Sequence, residues 1–158
     1  MARMASRRDQ ITMTDAEIQA YLTDQRILNV ATLGPTGHPH LVAMWYTLID
    51  GRPAFWTFGK SQKVVNLRRD PRITALVESG ESYQELRGVE LTGTARVVED
   101  FDEVLAIGTA VALKYTGPAG VSADAMPFIE AQATKRVGIV IDVDRTVSWD
   151  HTKLAGVY

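Results

Sequence analysis

The sequence predicts a mainly β domain, an antiparallel barrel with helices packed on its outside. Three observations favour this class: six strand-like segments, tight turn signals between several of them, and no helical pattern between the first three. Neighbouring parallel strands need a long crossover connection, which is usually a helix. A parallel α/β sheet is therefore disfavoured.

Length and composition predict one soluble globular domain. The chain has 158 residues, of which 46% are hydrophobic and 23% charged, values typical of a folded soluble domain. We expect a flexible leader over residues 1–13 and a single domain over residues 14–158.

Charge and residue usage exclude several functional classes. The net charge of −2 gives no overall field for nucleic acid or an anionic membrane. The sequence contains no cysteine, so disulfides, thiolate metal sites and cysteine nucleophiles are excluded. No apolar run reaches the roughly 20 residues of a membrane helix, and the arginines of the N-terminus precede no apolar segment of a secretory signal. We expect a cytoplasmic protein.

The first half of the chain is predicted to contain one helix followed by three strands. Thr14 and Glu17 have capping-box spacing at the helix start. Asp50-Gly51 is the strongest short hairpin signal in the chain. The predicted strands cover residues 26–33, 39–49 and 53–58.

The second half mixes helices with longer strands. Ser61 is placed to cap a short helix over residues 60–70, and Pro71 prevents its continuation. Asp100 and Glu103 again have capping-box spacing, and a bulge is expected near Gly93. The remaining predicted elements are strands at 72–78, 88–98 and 135–147, helices at 100–115 and 127–134, and a tail at 149–158.

The turn into the short helix is a candidate anion site. A strand ends at Phe58, Gly59 permits a close turn, and the free N–H groups of the following helix carry partial positive charge. Lys60 and Lys63 add full charges, and residues 60–72 carry five basic groups against one acid. Such a site suits phosphate. It lacks the glycine spacing of a nucleotide-binding loop, and a solvated basic helix face is the alternative.

Three large side chains in the second strand are candidates for lining a slot around a flat ring. Alternation places Met44 and Tyr46 on one face and Trp45 on the other. Ordinary barrel core or a dimer interface is the competing interpretation.

Other catalytic patterns do not occur. His38 and His40 share a face but have no carboxylate at ligand spacing, so we expect no metal. No serine stands in a Gly-x-Ser-x-Gly elbow, and the carboxylates form no evident pair for glycoside hydrolysis.

Taken together, several motifs resemble the pyridoxamine-phosphate-oxidase-like split β-barrel family. They resemble in particular its branch that uses the deazaflavin coenzyme F-420. The resemblance covers about residues 14–153. The most specific block is Lys60-Ser61-Gln62-Lys63-Val64-Val65-Asn66-Leu67 with Asp70-Pro71-Arg72, supported by Ala31-Thr32-Leu33-Gly34, Met44-Trp45-Tyr46 and Ser148-Trp149-Asp150-His151.

The resemblance implies a mainly β (α+β) fold, an antiparallel split β-barrel with peripheral helices. It also implies a homodimer with cofactor sites at the subunit interface. Lys60, Ser61, Lys63 and Asn66 would hold the cofactor phosphate, and Met44, Trp45 and Tyr46 match the strand that flanks the ring. An exposed strand edge independently favours pairing of two copies.

The leading functional hypothesis is an oxidoreductase. A reduced deazaflavin would pass a hydride to an electron-poor organic substrate, and the protein would orient the cofactor and exclude water. Arg68, Arg69 and Arg72 could meet the acidic tail of the deazaflavin, and solvent, Tyr46 or His40 could supply a proton. An FMN-dependent oxidoreductase shares nearly every residue of this argument. A non-catalytic protein that binds a flavin, a deazaflavin or a tetrapyrrole is the alternative from another class.

Overall fold

Seven antiparallel strands form one curled sheet in a computed structural model, which describes residues 6–154 of the chain. The order across the sheet is β2-β1-β5-β6-β7-β4-β3. This arrangement confirms the predicted split β-barrel and the absence of parallel pairing among the described strands. The strands are β1 (Leu28–Leu33), β2 (Pro39–Met44), β3 (Thr47–Ile49), β4 (Arg52–Phe58), β5 (Arg72–Ser79), β6 (Arg87–Val98) and β7 (Arg136–Asp150).

The predicted strand over residues 39–49 is wrong in one respect, because the chain breaks it into β2 and β3. Trp45 and Tyr46 lie between the two strands. The Tyr46 N–H donates to the Tyr115 hydroxyl oxygen at 3.0 Å rather than to a neighbouring strand. The break turns the Tyr46 ring into the core, where it has no exposed surface. It also leaves β2 at one margin of the sheet and β3 at the other.

Five α-helices surround the sheet. The predicted capping box at Thr14 is confirmed, since the Thr14 hydroxyl accepts from Glu17 N–H and the Glu17 carboxylate accepts from Thr14 N–H. The box at Asp100 is only half formed, because the Glu103 carboxylate pairs with Arg96 at 3.3 Å. The helices are α1 (Arg7–Ile11), α2 (Asp15–Asp24), α3 (Gln62–Arg69), α4 (Phe101–Thr116) and α5 (Met126–Ala133).

Both ends of the described chain contact the domain. The sequence predicts a flexible leader, but residues 7–11 form α1, and the buried Met13 donates its N–H to Ser148 Oγ at 3.0 Å. Within the predicted tail, Trp149 and Asp150 belong to β7, and His151–Leu154 forms a 3-10 helix. Residues 1–5 and 155–158 lie outside the described residues.

Two apolar clusters hold the sheet in place, one on each of its faces. The larger fills the barrel interior and includes Leu28, Phe55 and Ile139. The smaller lies under α4 and includes Val104 and Ile107. The predicted bulge is confirmed, since the register between β6 and β7 shifts between Thr92 and Gly93. A Cβ at Gly93 would collide with the Asp142 main-chain carbonyl, so glycine is required at this close approach.

No helix between residues 6 and 154 is long and apolar enough to cross a membrane. The same part of the chain contains no cluster of three or more potential metal ligands.

Candidate functional site

The turn between β4 and α3 joins a strand end to the first turn of a helix, at the place where the sequence predicts an anion site. Ser61 occupies the N-cap position of α3, yet its side chain makes no capping hydrogen bond. The N–H groups of Val64 and Val65 both donate to the Ser61 carbonyl oxygen at 3.1 Å. The N–H groups of the two residues before them have no intrahelical acceptor, because helices leave their first donors unpaired. The turn therefore presents free N–H donors and a serine hydroxyl that does not cap the helix.

Lys63 places a partly desolvated cation at this turn. Its Nζ donates to Thr57 Oγ1 at 3.1 Å, and the residue is half-buried. Burial, with a smaller contribution from the charge of Arg136, lowers the pKa of Lys63 below its usual range. No carboxylate of residues 6–154 lies within ion-pair distance of the Lys63 ammonium. An anionic ligand would compensate this charge.

Thr57, Ser61 and Lys63 together form a group that we call the anion cradle. Thr57 Oγ1 lies 3.5 Å from Ser61 Oγ as well as within reach of Lys63 Nζ. Thr57 is not among the site residues that the sequence predicts. Its position on the inward-facing side of a strand, two residues before Gly59, could have indicated it. Lys60 is exposed beside the cradle.

Asn66 has a different place from the one predicted for a phosphate ligand. Its side chain has no exposed surface, its Nδ2 donates to Thr32 Oγ1 at 3.0 Å, and its Oδ1 accepts from Gln62 Nε2 at 2.8 Å. The bond to Thr32 ties α3 to β1, and the two bonds together commit most of the amide's hydrogen-bonding capacity. Asn66 therefore positions the helix that carries the cradle.

His40 carries an unpartnered polar atom on the same side of the sheet. It lies on β2 directly opposite Thr32, whose hydroxyl contacts α3 through Asn66. The His40 Nδ1 is buried, and no group in the described part of the chain makes a hydrogen bond with it. A buried polar atom without a partner is rare and calls for a ligand or water.

The three arginines that follow the cradle are largely engaged within the chain. Arg68 pairs with Glu99 at 2.5 Å, and Arg72 pairs with Asp70 at 2.6 Å. Arg69 donates to the Leu33 carbonyl oxygen. An acidic ligand would have to displace two carboxylates, although exposed ion pairs are worth little and exchange readily.

Tyr46 is a core residue whose hydroxyl is already used. The hydroxyl donates to the Leu22 carbonyl oxygen at 2.6 Å, and Lys114 Nζ lies 3.9 Å from the ring centroid. Burial, the largest cause, raises the pKa of Tyr46 far above its usual range. Tyr46 is therefore a packing residue of the core, and its hydroxyl proton is used in the buried hydrogen bond to Leu22.

Trp45 and Met44 line a groove on the opposite side of β4 from the cradle. Trp45 is 53% exposed and stacks on Tyr115, with ring centroids 4.4 Å apart and planes 9° from parallel. The groove has a volume of about 710 Å³, within the range of small-molecule sites. We call it the tryptophan groove; its walls include Met44, Trp45, Trp56, Val111, Phe128 and Arg136. Trp56 and Thr57 are consecutive on β4, so groove and cradle flank one strand.

The chain is a curled antiparallel split β-barrel, with a cationic turn on one side of β4 and an aromatic groove on the other. The sequence profile described as pyridoxamine 5'-phosphate oxidase matches residues 14–150. The chain therefore belongs to the pyridoxamine 5'-phosphate oxidase family.

Solved structures agree with this assignment. The conserved hypothetical protein Rv2991 from Mycobacterium tuberculosis is 44% identical, with a TM-score of 0.91 over 98% of this chain and 95% of that one. An F-420 reductase is 24% identical, with a TM-score of 0.62 over 81% of this chain and 94% of that one. The heme storage protein HutZ from Vibrio cholerae is 13% identical, with a TM-score of 0.65 over 86% and 96%. The F-420 reductase and HutZ show only that they share the fold of this chain. No curated protein matches the sequence.

Proposed function

We propose that this chain is an oxidoreductase that binds the deazaflavin coenzyme F-420 and reduces an electron-poor organic substrate. The observation that carries the proposal is the Lys63 ammonium, which is partly desolvated and has no carboxylate partner among residues 6–154. Such a charge at the start of a helix suits a phosphate group.

The residues present fit a phosphorylated flat cofactor. Lys63, Ser61 and Thr57 would hold the phosphate, with Lys60 adding charge from the exposed side. The unpartnered Nδ1 of His40 supports a polar ligand on this side of the sheet. Asn66 would act through the placement of α3.

Across β4 from this cradle, Met44 and Trp45 offer ring-sized apolar surface. When bound, the reduced cofactor would supply the hydride. The chain's own residues would bind the phosphate, orient the ring and exclude water, which requires no side-chain nucleophile. With Tyr46 committed to Leu22, solvent or His40 would supply any proton.

Coenzyme F-420 is preferred over FMN on two supporting grounds. An F-420 reductase shares the fold, and residues 60–72 carry five basic groups against one acid, which suits a cofactor with an acidic tail. FMN would use the same cradle, and it is the alternative cofactor.

We also propose that the chain functions as a homodimer. Strand β2 ends the sheet with a free edge, and Leu41 on it is 67% exposed. Pairing with a second copy would cover this edge. Sedimentation should give a mass near twice 17.4 kDa, and a single species at 17.4 kDa would contradict the dimer.

Turnover can be tested spectroscopically. Reduced coenzyme F-420 bound to the full-length protein is mixed with a panel of enones and quinones, and the deazaflavin absorbance is followed. Protein-dependent reoxidation supports the oxidoreductase. Tight binding without reoxidation by any acceptor would favour a cofactor carrier, and tight hemin binding without deazaflavin or FMN binding would favour a tetrapyrrole protein.

A further inference from the structure

Arg136 brings a positive charge into the wall of the otherwise apolar tryptophan groove. The carbon centre of its guanidinium lies 4.7 Å from the Trp56 ring centroid and 4.6 Å from that of Phe58. Its Nε and Nη2 donate to Gln132 Oε1 at 3.4 and 3.3 Å. Across residues 6–154, no carboxylate reaches this guanidinium within ion-pair distance, and no acceptor is bonded to its Nη1.

The Arg136 guanidinium therefore has N–H groups placed to bind an anion, and no carboxylate of residues 6–154 occupies that place. Burial lowers the pKa of Arg136 below its usual range, but a guanidinium stays charged at neutral pH. The Trp56 and Phe58 rings attract the cation through cation–π contacts, but they leave its outward N–H groups without a hydrogen-bond acceptor. Arginine forks recognise carboxylates in bidentate fashion, and such pairs are among the stronger hydrogen bonds in proteins.

The remainder of the groove is suited to a flat apolar body. Trp45 and Phe128 are 53% and 69% exposed, so the Phe128 ring and the Trp45 surface that Tyr115 does not cover are available to a ligand. The opposing wall from α4 contains Gly108, against which Trp56 packs, and Ala112, whose side chain is small. Gly108 is required there, because a Cβ would collide with the Trp56 ring.

We propose that the tryptophan groove binds a planar, conjugated carboxylic acid, with the carboxylate on Arg136 and the conjugated body against the tryptophan rings. That this acid is the electron acceptor rests on the proposed function. For an α,β-unsaturated acid, the hydride forms a new C–H bond at the β-carbon. The electron pair of the broken C=C π bond takes a proton from water at the α-carbon, so the alkene is reduced and the deazaflavin oxidised.

Binding is tested by calorimetric titration of the full-length protein with cinnamate and with its neutral isostere cinnamamide. We expect cinnamate to bind at least about tenfold more tightly, as a charge-assisted contact implies. Arg136→Gln should abolish this preference, and Arg136→Lys should retain part of it. Lys135→Gln, which removes the neighbouring exposed charge, should leave the preference intact.

The outcomes separate this proposal from the proposed function. Equal affinity for acid and amide, or equal losses in Arg136→Gln and Lys135→Gln, would overturn the carboxylate site. The groove must hold the acid beside the cofactor ring, so displacement of cinnamate by coenzyme F-420 would show that the two compete for one place and would overturn the acceptor role. If Arg136→Gln fails to fold, the acid-to-amide ratio of the wild-type protein still decides. Cinnamate binding without F-420 or FMN binding would refute the proposed function alone.

Discussion

Replacing Lys63 with methionine should weaken cofactor binding without destabilising the fold. The substitution keeps the aliphatic stem and removes the ammonium that lies 3.1 Å from Thr57 Oγ1. A charge-assisted hydrogen bond is worth about 1.5–3 kcal/mol, which corresponds to roughly 10- to 150-fold in affinity. Because Lys63 is only half-buried, solvent screening favours the lower end. We expect a loss of about 10- to 30-fold.

The assay is an equilibrium titration that follows the fluorescence of coenzyme F-420. Lys135→Met is the matched control, since it removes an exposed lysine outside the cradle and should change affinity less than about twofold. Chemical denaturation should show Lys63→Met to be as stable as wild type or slightly more so, because a partly desolvated charge has been removed. Equal affinity for Lys63→Met and wild type would show that the phosphate does not bind at this turn.

Three further predictions concern residues outside the anion cradle. Tyr46→Phe should lower the free energy of unfolding by about 1 kcal/mol, measured with urea, because the Leu22 carbonyl oxygen loses its short bond; cofactor affinity should not change. Gly108→Ala should cost about 1–3 kcal/mol in the same assay by displacing Trp56, and unchanged stability would refute the close packing. Burial lowers the pKa of Lys114 to about 8, so the unfolded chain binds more protons above that pH and wild-type stability should rise between pH 8 and 9.5 by roughly 1 kcal/mol after allowance for exposure. Lys114→Met should lack this rise.

The sequence predicted the elements well where local signals agree with the tertiary structure. The capping box of Thr14 and Glu17 and the bulge at Gly93 are both confirmed. Each depends on residues close in sequence or on a glycine with a specific backbone role. The split barrel followed from the strand count and the short turns.

The break at Trp45 and Tyr46 could not be predicted from alternation. Hydrophobic periodicity continues through residues 39–49, so the pattern reads as one strand. What ends β2 is the non-local hydrogen bond from Tyr46 N–H to Tyr115 and the bond from the Tyr46 hydroxyl to Leu22. Both partners are distant in the chain, so no local signal indicates them.

The sequence predicts which turn carries the candidate site, but it does not predict what each residue of that turn contacts. Lys63 and Ser61 lie at the predicted turn, whereas Asn66 is directed at Thr32 in the interior. Helical periodicity gives the face of a residue but not which neighbouring strand satisfies its amide. Arg136 was missed because its significance depends on Trp56 and Phe58, which are brought beside it by the pairing of β4 with β7.

The most direct test is a crystal structure of the full-length protein soaked with coenzyme F-420. We predict phosphate density about 2.7–3.2 Å from Lys63 Nζ, with Ser61 and Thr57 as further partners and the ring beside Trp45. Phosphate density at any other place on the protein, or an empty cradle at saturating cofactor, would contradict the account.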